Sequence, residues 1–89
     1  MKLNLEYITN YINEKLAEDE NRIVITFYEL VMKEKLDREQ VALFLEYSKI
    51  RLTNMNYKIY VTGDTYEYKN EKHLIENNVF YVAIKNKIQ

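Results

Sequence analysis

The residues able to do chemistry are few. His73, Ser48 and Gly63 are the only histidine, serine and glycine, and there is no cysteine. Without cysteine there are no disulfides, thiolate nucleophiles or zinc-thiolate sites. One histidine excludes a multi-histidine metal site, and one glycine excludes a glycine-rich phosphate loop. Ser48 falls in an apolar helical stripe, where its hydroxyl is expected to bond a backbone carbonyl, so no Ser-His-Asp triad is expected. His73 has only Glu71 near it in sequence, too little for a metal ion. It reads as a surface residue. The acidic run Glu18-Asp19-Glu20 reads as a solvated helix end and not as a cation site. No catalytic residue, metal or cofactor is expected, and the chain reads as a binding module.

What it offers for binding is concentrated between residues 58 and 73. Lys58, Tyr60, Thr62, Thr65, Tyr66, Tyr68, Lys69, Asn70, Lys72 and His73 lie there. Lysines neutralise phosphates and give a salt-dependent affinity. Tyr and Thr hydroxyls position a sugar-phosphate backbone, and an asparagine at a turn tip can hydrogen-bond a base edge. Asp64, Glu67 and Glu71 oppose this, unless the strand pleat directs Glu67 away from Tyr66 and Tyr68. For the tyrosines the competing role is strand packing, as in an aromatic pair such as Tyr60 with Tyr81. Both roles stand for Tyr66 and Tyr68, while Tyr57 reads as core. Arg38, Gln40 and Lys49, on a helix, form a second and weaker candidate set.

These residues need elements to hold them. Leu5, Ile8, Ile12 and Leu16 repeat at helical spacing after a capping Asn4, predicting a helix over 5–17. A β-branched run predicts a strand over 22–25. Thr26 and Glu29 form a capping box that opens a helix over 27–35, burying Phe27, Leu30 and Val31. Asp37 and Gln40 form another box, opening a third helix over 38–54. In that helix Val41, Phe44, Leu45, Ser48, Leu52 and Met55 make one apolar stripe, the core. Leu43, Tyr47 and Ile50 make a second on roughly the opposite side. A helix apolar on two sides is usually buried on two sides. Its second cover is either the first helix, which we favour, or a second copy of the chain.

Alternation over 57–62 and 79–84 predicts a hairpin across 57–85. Pairing residues whose numbers sum to 141 sets Tyr57, Ile59 and Val61 against Ile84, Val82 and Phe80 on one face. That register puts Asn70-Glu71 at the tip and Gly63-Asp64 opposite Asn77-Asn78, where a bend is expected. Residues 65–76 should project beyond it. Together this is a single α+β domain of three helices and a long C-terminal hairpin.

Thirteen basic and fourteen acidic residues give a net charge of −1 in 89 residues. A dedicated nucleic-acid binder is usually basic, so any such surface must be local. The last third is the least acidic part: residues 57–89 hold five basic and four acidic side chains. No apolar run approaches the roughly 20 residues of a membrane span, and the N-terminus is too polar for a signal peptide, so a cytoplasmic location is expected. The abundance of Asn, Lys, Ile and Tyr without proline or tryptophan fits AT-rich codons, as in a low-GC bacterium or its mobile elements.

The stretch ITFYELVMKEKLDREQVALFLEYSKIRLTNMNYKIYVTG resembles the winged helix-turn-helix family. The likeness lies in its capped second helix, short turn and third helix running into a strand, and it spans about residues 5–85. Within that family the chain looks similar to the small winged-helix relaxosome accessory proteins of clostridial conjugative plasmids. The resemblance implies binding of double-stranded DNA at a transfer origin through the wing, with other relaxosome proteins as further partners. The architecture and the lysine- and tyrosine-bearing wing add the expectation of a homodimer, acting there or at an operator. The family's usual reading helix departs here: Arg38 and Lys49 are diluted by Glu39 and Glu46. The competing expectation is a protein-interaction module or a phage or plasmid inhibitor protein, joined to its partner through Leu43, Tyr47 and Ile50.

Overall fold

The computed structural model describes residues 3–87. Asn4 opens helix α1 (Leu5–Glu18) by accepting from the Tyr7 N–H at 2.8 Å. The helix buries Ile8 and Ile12, while Leu5 stays exposed. Strand β1 (Arg22–Thr26) follows. The Thr26–Glu29 capping box forms with both reciprocal bonds at 3.2 Å. The segment it opens is nevertheless π-helical, Tyr28–Lys33, and not an ordinary helix over 27–35. The box satisfies only the first turn and says nothing about the wider hydrogen bonding beyond it. Glu34 N–H bonds the Glu29 carbonyl, five residues back. Lys35, at φ 57, turns the chain left-handed, and Leu36 then bonds back to the Leu30 carbonyl. Leu30 is buried, but Phe27 is 48% exposed, contrary to the expected burial. It lies at the strand-to-helix corner with its ring 6.0 Å from that of Phe80.

Helix α2 (Arg38–Asn54) begins at Asp37, whose box with Gln40 is complete, each bond 2.9 Å. It buries Phe44, Ser48 and Leu52. Met55, assigned to the same stripe by spacing, is the C-cap and is exposed. Beyond it Asn56 adopts φ 72 and bonds Asn86, which ties the end of α2 to the end of the last strand.

Among the described residues four more strands follow: β2 (Tyr57–Tyr60), β3 (Thr65–Tyr68), β4 (Glu71–Leu74) and β5 (Val79–Lys85). An antiparallel sheet has the order β1-β5-β2, and β3-β4 is a separate two-stranded hairpin. On one sheet face Ile23, Ile25, Tyr57, Tyr81 and Ala83 pack with Ile8, Ile12, Leu30, Leu36, Phe44 and Leu52 to form the core. The class is therefore α+β, with three helical elements and antiparallel hairpins.

The expected register is displaced by one residue. Tyr57 pairs with Lys85, Ile59 with Ala83 and Tyr60 with Val82. Tyr60 and Tyr81 consequently face opposite sides of the sheet. The reason lies in β5, the central strand. Both of its alternating rows are apolar, so alternation cannot choose between them. A bulge where β5 passes from Tyr81 to Val79 against β1 brings Phe80 toward the core as well.

The hairpin bends where the strand breakers sit, but it does not project. Asp64 N–H bonds the Val61 carbonyl, and the Asp64 carboxylate accepts from Val61 N–H at 2.8 Å. Gly63, third in this turn, has φ 91, as a type II turn requires. The return path turns at Glu76–Val79. The tip is Lys69-Asn70 and not Asn70-Glu71: β3 pairs with β4 from Thr65↔Leu74 to Tyr68↔Glu71. Both tip residues are left-handed, φ 53 and 66, the pattern of a two-residue type I′ turn. The β3-β4 hairpin folds back over the outer sheet face, where Tyr66, Ile75 and Val82 form a second core joined by Val24, Tyr60, Tyr68, Val79 and Ile84. The outer sheet face is apolar and needs a cover, which explains the fold-back.

Candidate nucleic-acid interface

The folded hairpin decides where each candidate side chain lies. Tyr66 is only 8% exposed. Its ring lies 5.8 Å from that of Tyr60 and stacks on His73 at 5.1 Å. Its hydroxyl accepts from Arg22 Nη1 at 3.2 Å. Tyr68 is half-buried, with the Arg22 guanidinium over its ring at 4.1 Å and Lys69 Nζ 5.3 Å from its centroid. The Tyr68 hydroxyl donates to the Asp19 carboxylate. Thus the aromatic faces of Tyr60, Tyr66, Tyr68 and His73 are engaged in packing, and Tyr57 is in the main core.

Other polar groups of the hairpin remain open. Lys58, Thr62, Thr65, Lys69, Asn70 and Lys72 are exposed. Lys58 shares the outer face with Tyr60, whose ring its ammonium approaches at 5.2 Å. Thr62 donates to the Val79 carbonyl at 3.2 Å. Lys69 and Asn70 form the tip, and Lys72 stands opposite Glu67 in the ladder. Pleating puts Thr65, Glu67, Lys72 and Leu74 on the outward side and Tyr66, Tyr68 and His73 on the inward side. Glu67 therefore points away from Tyr66 and Tyr68 but lies beside Lys72.

The acidic run at the end of α1 helps to seat the hairpin. Burial works against the Asp19 charge. Hydrogen bonds from Tyr68 and the backbone of Asn21 and Arg22, with Lys69 nearby, still hold its carboxyl below its usual range. The bond to Asp19 pushes the Tyr68 phenol up. The sequence places Asp19 in a solvated helix end, but it is half-buried under the hairpin and accepts from Tyr68; Arg22 was not singled out as a site residue. The available signal was Val24, an apolar residue in the outward row of β1 beside Arg22, which requires something to cover it.

Arg38, Gln40 and Lys49 do not join this group. The Gln40 side-chain oxygen is engaged in the α2 cap. Lys49 is half-buried, 5.7 Å from the ring of Tyr81 on the core side of the sheet. Arg38 is exposed in the first turn, next to Asp37 and Glu39. The second stripe of α2 is open to solvent, contrary to the favoured expectation that α1 covers it: Leu43 and Tyr47 are 43% exposed and Ile50 51%. Instead a groove of about 320 Å³ lies between α1 and α2, lined by Leu5, Ile8, Tyr47, Ile50, Arg51 and Met55 among others.

Elsewhere, a cleft of about 510 Å³ between α1 and the π-helical segment carries Glu14, Glu18, Glu29 and Glu34 around Tyr7 and Tyr11. Lys15 pairs with Glu29 there, and Tyr7 donates to Glu34. With Lys15 and Lys33 also lining it, the carboxylates still outnumber the cations there. Ser48 is buried, accepts from Tyr81 at 2.8 Å and donates to the Leu45 carbonyl at 3.3 Å. Among the described residues no three His, Asp or Glu side chains are grouped so as to hold a metal ion, and no helix is long and apolar enough to cross a membrane. Compared with protein-family models, curated proteins and solved structures, the chain matches none.

Proposed function

We propose that this chain is a winged helix-turn-helix protein that binds double-stranded DNA through the β3-β4 hairpin, its wing. The element order and the β1-β5-β2 sheet support the family reading, with the π-helical segment and α2 as the helix pair. The observation that carries the DNA reading is the exposed set Lys69, Asn70 and Lys72 on a tight turn held in place by its own tyrosines. Lysines there meet phosphates, and Asn70 reaches a base edge. The exposed side of α2, by contrast, carries the apolar stripe Leu43, Tyr47 and Ile50 beside Arg38, Glu39 and Glu46, whose carboxylates oppose phosphate, which suits a protein contact better than a DNA groove. Leu43, Tyr47 and Ile50 pair two copies, and pairing doubles the phosphate contacts of a chain whose net charge is −1. The protein acts in the cytoplasm, at a plasmid transfer origin with other relaxosome proteins or at an operator, and carries no catalytic site.

Fluorescence anisotropy on labelled random and transfer-origin-like duplexes at two salt concentrations tests this. Binding that weakens steeply with salt, and that is lost on replacing Lys69 and Lys72 with alanine, is expected. The exposed Leu43, Tyr47 and Ile50 also favour a second reading, a protein-interaction module that has no DNA site. Absence of duplex binding at low salt selects that reading.

A further inference from the structure

We propose that Arg22 is the positioning residue of the wing: it fixes the β3-β4 hairpin on the sheet and so sets where Lys69, Asn70 and Lys72 stand. The part concerning DNA rests on the function proposed above; the part concerning hairpin order does not. Arg22 leads β1 and points to the outer face, beside Val24. It makes two contacts with one strand of the wing. Nη1 donates to the Tyr66 hydroxyl at 3.2 Å, and the guanidinium plane covers the Tyr68 ring at 4.1 Å. These tyrosines share one side of β3, so a single planar cation engages both. Tyr66 lies 44 residues from Arg22 in sequence, and Tyr68 farther still, which makes this a tertiary clamp and not a feature of the hairpin itself. Tyr68 is the last residue before the Lys69-Asn70 turn. Holding its ring therefore fixes the tip directly.

An isolated two-stranded hairpin is marginal in water. The wing meets that limit by docking on Tyr60, Val82 and Ile84. Arg22 adds two directional contacts that apolar packing lacks, beside the bond from Tyr68 to Asp19. If the clamp is lost, the tip samples many orientations, and binding must order it again at an entropic cost. Arg22 itself is not expected to touch phosphate, because it is half-buried, with its plane on the Tyr68 ring and Nη1 on the Tyr66 hydroxyl.

The test compares the wild type with Arg22→Ala and Arg22→Lys in two assays. Amide hydrogen exchange needs no DNA. Exchange in β3 and β4 should speed up by about tenfold in the alanine variant, from loss of one hydrogen bond and one cation–π contact. Central β5 amides should stay protected, which shows that the protein is folded. The lysine variant keeps the charge but not the planar fork, so its hairpin should loosen nearly as much. In the second assay, affinity for a duplex should fall about tenfold in both variants while the salt slope stays that of the wild type. A lost phosphate contact would instead lower the slope by about one. Unchanged exchange in the alanine variant overturns the proposal, as does a slope reduced by about one with the hairpin still protected. If the wild type binds no duplex, the DNA function fails, and exchange alone still decides whether Arg22 is the clamp.

Discussion

Tyr81 and Ser48 form a polar pair inside an apolar core, and removing them separately and together should give very different costs. Both side chains are fully buried. The Tyr81 hydroxyl donates to Ser48 Oγ at 2.8 Å, and Ser48 donates onward to the Leu45 carbonyl at 3.3 Å. Ser48→Ala leaves the Tyr81 hydroxyl without an acceptor in a dry site, a cost of about 1–3 kcal/mol. Up to about 0.5 kcal/mol of that is offset by the better helix propensity of alanine. Tyr81→Phe leaves Ser48 its carbonyl but takes away its donor, a cost of about 1 kcal/mol. The double variant contains neither polar atom, so it should lie within about 1 kcal/mol of the wild type. Urea unfolding at constant m-value measures all four proteins. The expected result is a double variant more stable than the sum of single losses predicts, by about 1–2 kcal/mol. Losses that add within about 0.5 kcal/mol would refute the reasoning, because they would show that the two hydroxyls find other partners when separated.

Other consequences concern the turn, the alkaline limit and the apolar stripe. Gly63→Ala should cost about 1 kcal/mol in urea unfolding, purely from its left-handed backbone, since an added Cβ meets nothing within 4 Å. Burial, first of all, raises the phenols of Tyr7, Tyr11 and Tyr81, with nearby carboxylates adding to the shift. A raised folded-state pKa gives stability that is complete below the unfolded value of about 10 and is lost as pH climbs past it. Unfolding followed by circular dichroism should therefore set in above about pH 10, and Tyr81→Phe should soften that decline. Serine at Leu43, Tyr47 and Ile50 together should turn a dimer into a monomer in sedimentation velocity. Each exposed change should alter stability by no more than about 0.5 kcal/mol.

The helices were legible because their signals are local. Asn4, Thr26 with Glu29, and Asp37 with Gln40 each close within three residues, and α2 runs over the expected 38–54. The π-helical hydrogen bonding of Tyr28–Lys33 was not legible, because its capping box is the same one an α-helix would use. The register of β5 was hidden by Val82 and Ile84, whose apolar row duplicates that of Tyr81 and Ala83. The docking of the wing depends on Arg22 and Asp19 reaching Tyr66 and Tyr68, 44 and 49 residues away, and no local pattern encodes such a pairing. The tip was misplaced by one residue because Lys69 adopts a left-handed turn conformation more usual for asparagine or glycine. For the candidate interface, the lysines and Asn70 were readable as types, but which tyrosines are occupied followed only from the fold-back.

The central claim is that the wing, and not α2, meets DNA. The most direct measurement is a two-dimensional amide NMR titration of the labelled protein with a short duplex at low salt. The account predicts that the perturbed amides cluster at Lys58 and from Tyr68 to Lys72, with α2 unmoved along its exposed side. Perturbations centred instead on Arg38, Ala42 and Glu46, with the wing silent, would contradict it.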